Sequence, residues 1–247
     1  MTTPSKVDNK AAIDLDNIAK RIFDIYREKF KDAVLYLEKA RKIKDKFGSS
    51  FSVVYCWFYS VPQKWTLLEP KIFTLAEETN NFDLRFILET SPTRLAKLMK
   101  SLMFYNKLSF QLKNFCEVIR GKYASWDNFA EELRKESIFK LFTVFNKYND
   151  TRITFKNLAA MKIFIGNEDD LLILDKHVAN VLGINKNDLY KYRKRKESFK
   201  SILEIARLIT KRLIKYGLTD VTMAKWSLSI WFYETKISGD SLLKNLN

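Results

Sequence analysis

Residues 155–178 read FKNLAAMKIFIGNEDDLLILDKHV. The stretch opens on an apolar helical pattern assigned to 153–165, with Lys156 set among Ile153, Phe155, Leu158 and Ala159. A loop runs from Gly166 to Asp170, and Asp175-Lys176-His177 follows nineteen residues after the lysine (175 − 156). An amine in apolar surroundings loses its proton more readily and becomes a nucleophile toward a sugar carbon, and a nearby carboxylate can support the positive charge that develops. Asp175 also suits the N-cap of a short helix ended by Gly183. Lys162 is the rival nucleophile on the same helix. Six residues on (162 − 156), it projects about 600° around the axis from Lys156 and so faces another way. His177 reads as a buried, hydrogen-bonded side chain.

The rest of the chain is also helical in pattern. Apolar residues recur from Asp14 to about Lys46 at Leu15, Ile18, Ile22, Ile25, Val34, Leu37 and Ile43, with basic residues between them. Gly48-Ser49-Ser50 breaks that pattern, and the fully apolar FSVVYCWFYSV (51–61) is assigned to a core helix. Pro62 and Pro70 bracket an irregular stretch. Thr93–Met103 is amphipathic, with Ser91 as cap and Pro92 at the first helical position. Further helices are assigned to 107–120, 126–134, 137–147, 187–194, 197–216 and 220–236, with NKYNDTR (146–152) as a turn. The fold class is all-α, with short connections. Residues 1–11 are expected to be disordered, and 12–247 to form a single two-lobed α-helical domain in which 12–48 is an N-terminal basic helix extension.

The chain has 247 residues, 47% of them hydrophobic, with only 6 Gly and 4 Pro, which suits a folded helical body. The formal net charge of +15 favours a polyanionic partner. The densest basic run is KYRKRKESFK (191–200), which offers Lys191, Arg193, Lys194, Arg195 and Lys196 as phosphate contacts; the same run also suits a solvated face. Cys56 and Cys116 are the two cysteines, too few for a disulfide framework or a four-cysteine iron–sulfur cluster. His177 is the single histidine, which excludes a His-rich metal site. No apolar run reaches the roughly 18 residues of a membrane span, and the polar N-terminus MTTPSKVDNK lacks the apolar core of a signal peptide. The expectation is an intracellular, cytoplasmic, DNA-associated monomer without a membrane partner.

The Lys156–Asp175 element resembles the helix-hairpin-helix DNA glycosylases, closest to the archaeal-type 8-oxoguanine DNA glycosylase/AP lyases. ILDKHV (173–178) is similar to that family's I-x-D-x-H-[IV] run, at the family's spacing from its catalytic lysine. AKWSLSIWFYETKI (224–237) resembles the C-terminal helix pattern L-D-x-x-[IL]-W-Y-x-x-T-G through Trp231, Glu234 and Thr235. FYNKLSFQLKNF (104–115) is a weaker echo of R-[FY]-x-N-[KR]. These three anchor points span roughly residues 50–237. The family hairpin reads Gly-x-Gly-x-Lys, whereas this chain reads TRITFK (151–156) with no glycine, so the backbone grip on a DNA phosphate does not carry over. Ser227 stands where the family's aspartate precedes the tryptophan, and the tail runs several residues past the family's usual end.

The resemblance implies a two-lobed glycosylase fold with double-stranded DNA containing a damaged base across its cleft. It implies excision of an oxidised purine, 8-oxoguanine first, with lyase activity, Lys156 as nucleophile and Asp175 as its charge-stabilising partner, and no metal or cofactor. An extruded base needs stacking partners, and Trp57, Phe58, Trp65, Trp231 and Phe232 are the candidates. Two rival readings stand beside this one. One is a non-catalytic helix-hairpin-helix DNA-binding protein, and the other is a basic helical scaffold that matches the pattern by chance.

Overall fold

The computed structural model describes residues 14–148 and 150–243; the expectation for residues 1–11 lies outside them. The helices are α1 (Leu15–Trp57), α2 (Trp65–Glu78), α3 (Leu84–Glu89), α4 (Pro92–Leu98), α5 (Tyr105–Tyr123) and α6 (Trp126–Lys135). They continue as α7 (Ile138–Asn146), α8 (Phe155–Phe164), α9 (Lys176–Val181), α10 (Lys186–Lys194), α11 (Lys196–Lys215) and α12 (Met223–Thr235). Two 3-10 turns, Phe58–Ser60 and Gly239–Ser241, complete the order, and no strand occurs among the described residues. The all-α reading holds.

Helix α1 spans the whole body. Gly48 breaks it with φ 81° and ψ 177°, a left-handed backbone that glycine adopts without a Cβ penalty. The helix resumes at once, and Phe51 to Trp57 are all buried, as the apolar run demands. The first part of α1 packs on α11 and α12 through Ala19, Ile22, Tyr26, Ala33 and Tyr36, so this basic helix is woven into the core. Its second part meets α6, α8 and the first 3-10 turn. Helices α3 to α7 pack among themselves and onto α8, while α9 to α12 pack among themselves and onto α1. The site lies where α1, α2, α8, α9, α10 and α12 converge.

Two local expectations fail. The stretch from Pro62 to Pro70 is helical from Trp65 onward, with Pro70 inside α2. An interior proline costs about 3 kcal/mol through its missing N–H and ring clash, yet Leu68, Ile72, Phe73, Leu75 and Ala76 bury one face of α2, and that packing outweighs the local penalty. The helix expected over 93–103 stops at Leu98, although Ser91 does cap it with Pro92 at its first position.

Candidate active site

Thr154 caps α8 in a reciprocal capping box with Asn157. Asn157 is fully buried, and its Nδ2 donates to the carbonyls of Cys56 (3.2 Å) and Trp57 (2.8 Å) at the end of α1. The first turn of α8 is thereby docked on the last turn of α1. Lys156, one residue earlier, donates from Nζ to the Tyr59 carbonyl at 2.7 Å. Burial pushes its amine down to about 8; the Asp175 carboxylate pulls the other way, and the charges of Arg193 and Lys176 add to the fall. The amine is thus held by one backbone acceptor. That geometry occupies an N–H and leaves the lone pair of the neutral form free.

Leu171 to Leu174 are buried, and the Asp175 N–H closes a tight turn onto the Ile173 carbonyl at 2.9 Å, which delivers Asp175 to the same place. Asp175 is buried and caps α9, its Oδ1 accepting from the N–H groups of His177 (2.9 Å) and Val178 (2.8 Å). The second carboxylate oxygen has no role in the cap. Arg193 of α10 donates from Nε to the Leu174 carbonyl at 2.9 Å, locking the residue before Asp175. Lys156, Asp175, His177 and Arg193 line one cavity of about 690 Å³ together with Tyr36, Tyr59, Trp65 and Trp231. Its size lies within the roughly 300–1,000 Å³ of small-molecule sites.

Several candidate residues lie elsewhere. Lys162 is buried, with Nζ donating to the carbonyls of Leu133 and Glu136 (both 2.7 Å) and paired with Glu168 at 2.8 Å. It ties α8 to the end of α6 and does not reach the cavity, which corrects its reading as an alternative nucleophile. Trp57 is fully buried, stacked on Phe115, with Nε1 donating to the Thr151 carbonyl at 3.0 Å. Phe58 and Phe232 are likewise fully buried, Phe232 against Tyr36 and Trp231. None of these three lines the cavity, so they are core residues and cannot stack on an entering base. Trp65 and Trp231 do line it.

The basic run divides in the same way. Arg193 turns into the cavity, and Lys194 donates to the Ile153 carbonyl at 3.0 Å, pinning the segment before α8. Lys191 is exposed beside Asp188, and Lys196 lies over the Phe139 ring with its residue exposed. Arg195 is exposed at the junction of α10 and α11. Tyr36 and Tyr59 were not singled out from sequence. They belong to apolar helical stripes, where nothing local separates a cavity wall from a core position.

The fold itself has a solved counterpart. Over 90% of this chain and 96% of the other, it superposes on the crystal structure of Methanocaldococcus jannaschii 8-oxoguanine DNA glycosylase with a TM-score of 0.60 at 16% sequence identity. The chain shares that fold. No protein-family model matches the sequence, and neither does any curated protein.

Proposed function

We propose that the chain is a DNA glycosylase with AP lyase activity that excises an oxidised purine, 8-oxoguanine first. The observation that carries this reading is the pairing of Lys156 and Asp175 on one cavity, the amine in its largely desolvated setting, within the fold of an 8-oxoguanine DNA glycosylase. The neutral Lys156 amine attacks the sugar C1′, and the C1′–base bond breaks with its electron pair leaving on the base. Asp175 stabilises the positive charge on the sugar and then on the attached nitrogen. Opening of the sugar ring gives the Schiff base, and loss of a C2′ proton expels the 3′ phosphate. Trp65 and Trp231 flank the extruded base. The exposed Lys191, Arg195 and Lys196 meet duplex phosphates, and His177 shapes the site mouth.

Borohydride trapping on duplexes bearing 8-oxoguanine, uracil or an abasic site tests the reading. The wild-type chain is expected to trap, fastest on 8-oxoguanine among the base lesions, and Lys156→Gln to lose the adduct while still binding DNA. Equal rates on uracil would remove the substrate claim. No adduct on any duplex, with DNA binding intact, would replace the enzyme by a non-catalytic DNA-binding protein.

A further inference from the structure

From the cavity wall inward runs a row of four oxygen-bearing side chains, Tyr59, Tyr36, Tyr55 and Glu69. Glu69 of α2 is buried and forms no ion pair with a basic side chain among the described residues. Its Oε1 accepts from the Tyr55 hydroxyl at 2.6 Å, and its Oε2 accepts from the Leu243 N–H at 2.8 Å. The Tyr55 hydroxyl meets that of Tyr36 at 3.0 Å, and the Tyr36 hydroxyl in turn meets that of Tyr59. Burial pushes the Glu69 carboxyl up, while the bonds from Tyr55 and Leu243 pull it down.

A carboxylate that bonds only neutral donors, with the Lys39 charge acting on it from beyond ion-pair distance, is costly to bury, and apolar side chains would fill the same space at less cost. What the arrangement supplies is direction. The Tyr55 hydroxyl donates to Glu69, so its one proton is used and Tyr36 must donate to Tyr55, and Tyr59 to Tyr36. One acceptor at the end of the row orients every hydroxyl in it, and such rows strengthen cooperatively. The row ends on Tyr59, in the 3-10 turn where α1 finishes. The backbone carbonyl of that same residue takes the Lys156 N–H.

The far end is closed by the tail. Leu242 and Leu243 are buried, the Gly239 N–H donates to Asp32 Oδ1 at 2.8 Å, and the Leu243 N–H completes the Glu69 carboxylate. Resting on the proposed role of the Lys156 amine, we infer that Glu69 is a positioning residue for that amine, acting through Tyr55, Tyr36 and Tyr59, with the 239–243 segment as its latch.

Tyr55→Phe removes one oxygen from the middle of the row and keeps the ring; Glu69→Gln replaces the acceptor-only group. Tyr26→Phe is the control, because it removes another buried hydroxyl, bonded to the Asp220 carbonyl, away from the cavity. Trace acetylation of each lysine, read by mass spectrometry from neutral to alkaline pH, reports the reactivity and titration midpoint of Lys156 without any DNA. The expected result is a shifted Lys156 midpoint in both row variants. Single-turnover trapping should fall about ten-fold, with duplex affinity within about two-fold, as misplacement of a reacting group predicts. Control-like labelling and trapping in both row variants, even with a lowered unfolding temperature, would make the row purely structural and overturn the inference. Shifted labelling in a wild-type background that traps nothing would keep the positioning role and remove the glycosylase reading.

Discussion

Lys162→Met separates the two lysines of α8 in a single measurement. Methionine keeps most of the stem volume, so packing changes little. What is lost is an ammonium that donates to the Leu133 and Glu136 carbonyls, both at 2.7 Å, and pairs with Glu168 at 2.8 Å. Those carbonyls stand at the end of α6, where helix geometry leaves acceptors without partners. A hydrogen bond from a charged group contributes about 1.5–3 kcal/mol. Two of them, less the relief of no longer burying a charge, give a net loss of about 2–4 kcal/mol. At roughly 2–4 °C per kcal/mol for a chain of this size, the unfolding midpoint should fall by about 4–16 °C. Calorimetry or thermal circular dichroism reads this directly, and borohydride trapping on the folded fraction at low temperature should match wild type. If the midpoint stays within about 1 °C and trapping disappears, Lys162 is the nucleophile and its assignment as a structural pin is wrong.

Five further outcomes follow from the same geometry. Trapping should rise with pH through about 8 and level off above it, because the neutral Lys156 amine is the reactive form. The cost of burying that charge is full below this value and fades as pH rises toward the ordinary lysine value of 10.5, so wild type should gain stability relative to Lys156→Met across that window; a flat difference in denaturant titrations would contradict it. Asp175→Asn should keep the α9 cap and the fold yet slow base release sharply, whereas Asp175→Ala should lose about 1 kcal/mol of stability as well. Trp57→Ala should lose about 3–5 kcal/mol as a core truncation, whereas Trp231→Ala should act mainly on lesion discrimination, as competition binding with undamaged duplex will show. Neutralising Lys191 and Arg195 together should flatten the log affinity against log salt slope by about 0.9 for each lost phosphate contact; an unchanged slope assigns them to a solvated face.

The juxtaposition of Lys156 and Asp175 was legible because its geometry is local. One capped helix, one buried apolar run from Leu171 to Leu174 and one further cap carry Lys156 and Asp175 to the same wall, and all three are written in consecutive residues. The rest of the wall is not written that way. Tyr36 comes from the middle of α1, Tyr59 from the 3-10 turn that follows it, Trp65 from α2, Arg193 from α10 and Trp231 from α12. A hydrophobic period reports that a side chain is covered, not whether a protein atom or a cavity covers it, and so Trp57 and Trp65 read alike. Helix α2 was obscured for a related reason: Pro70 is a local signal, and the burial that overrides it is not.

The missing glycines are the most instructive case. Arg152 occupies the place of the first hairpin glycine in the Gly-x-Gly-x-Lys pattern and nonetheless adopts φ 60°. Lys236 occupies the place of the glycine that ends the C-terminal helix pattern and adopts φ 56°. The left-handed backbone is therefore adopted at both positions without the residue that favours it, at a cost of about 1–2 kcal/mol each. Side chains offset that cost. Lys236 lays its ammonium 4.1 Å from the centre of the Tyr233 ring. Arg152 donates from Nε to the Ser60 hydroxyl at 2.9 Å, from Nη2 to the Ser60 carbonyl at 2.7 Å and from Nη1 to Gln111 at 3.2 Å. Three such bonds exceed the backbone penalty, and they seat Ser60, a residue of the cavity wall. Glycine at position 152 would relax the turn and release that wall. A positive φ at Arg152 is thus held without glycine, by gripping the turn from its side-chain end.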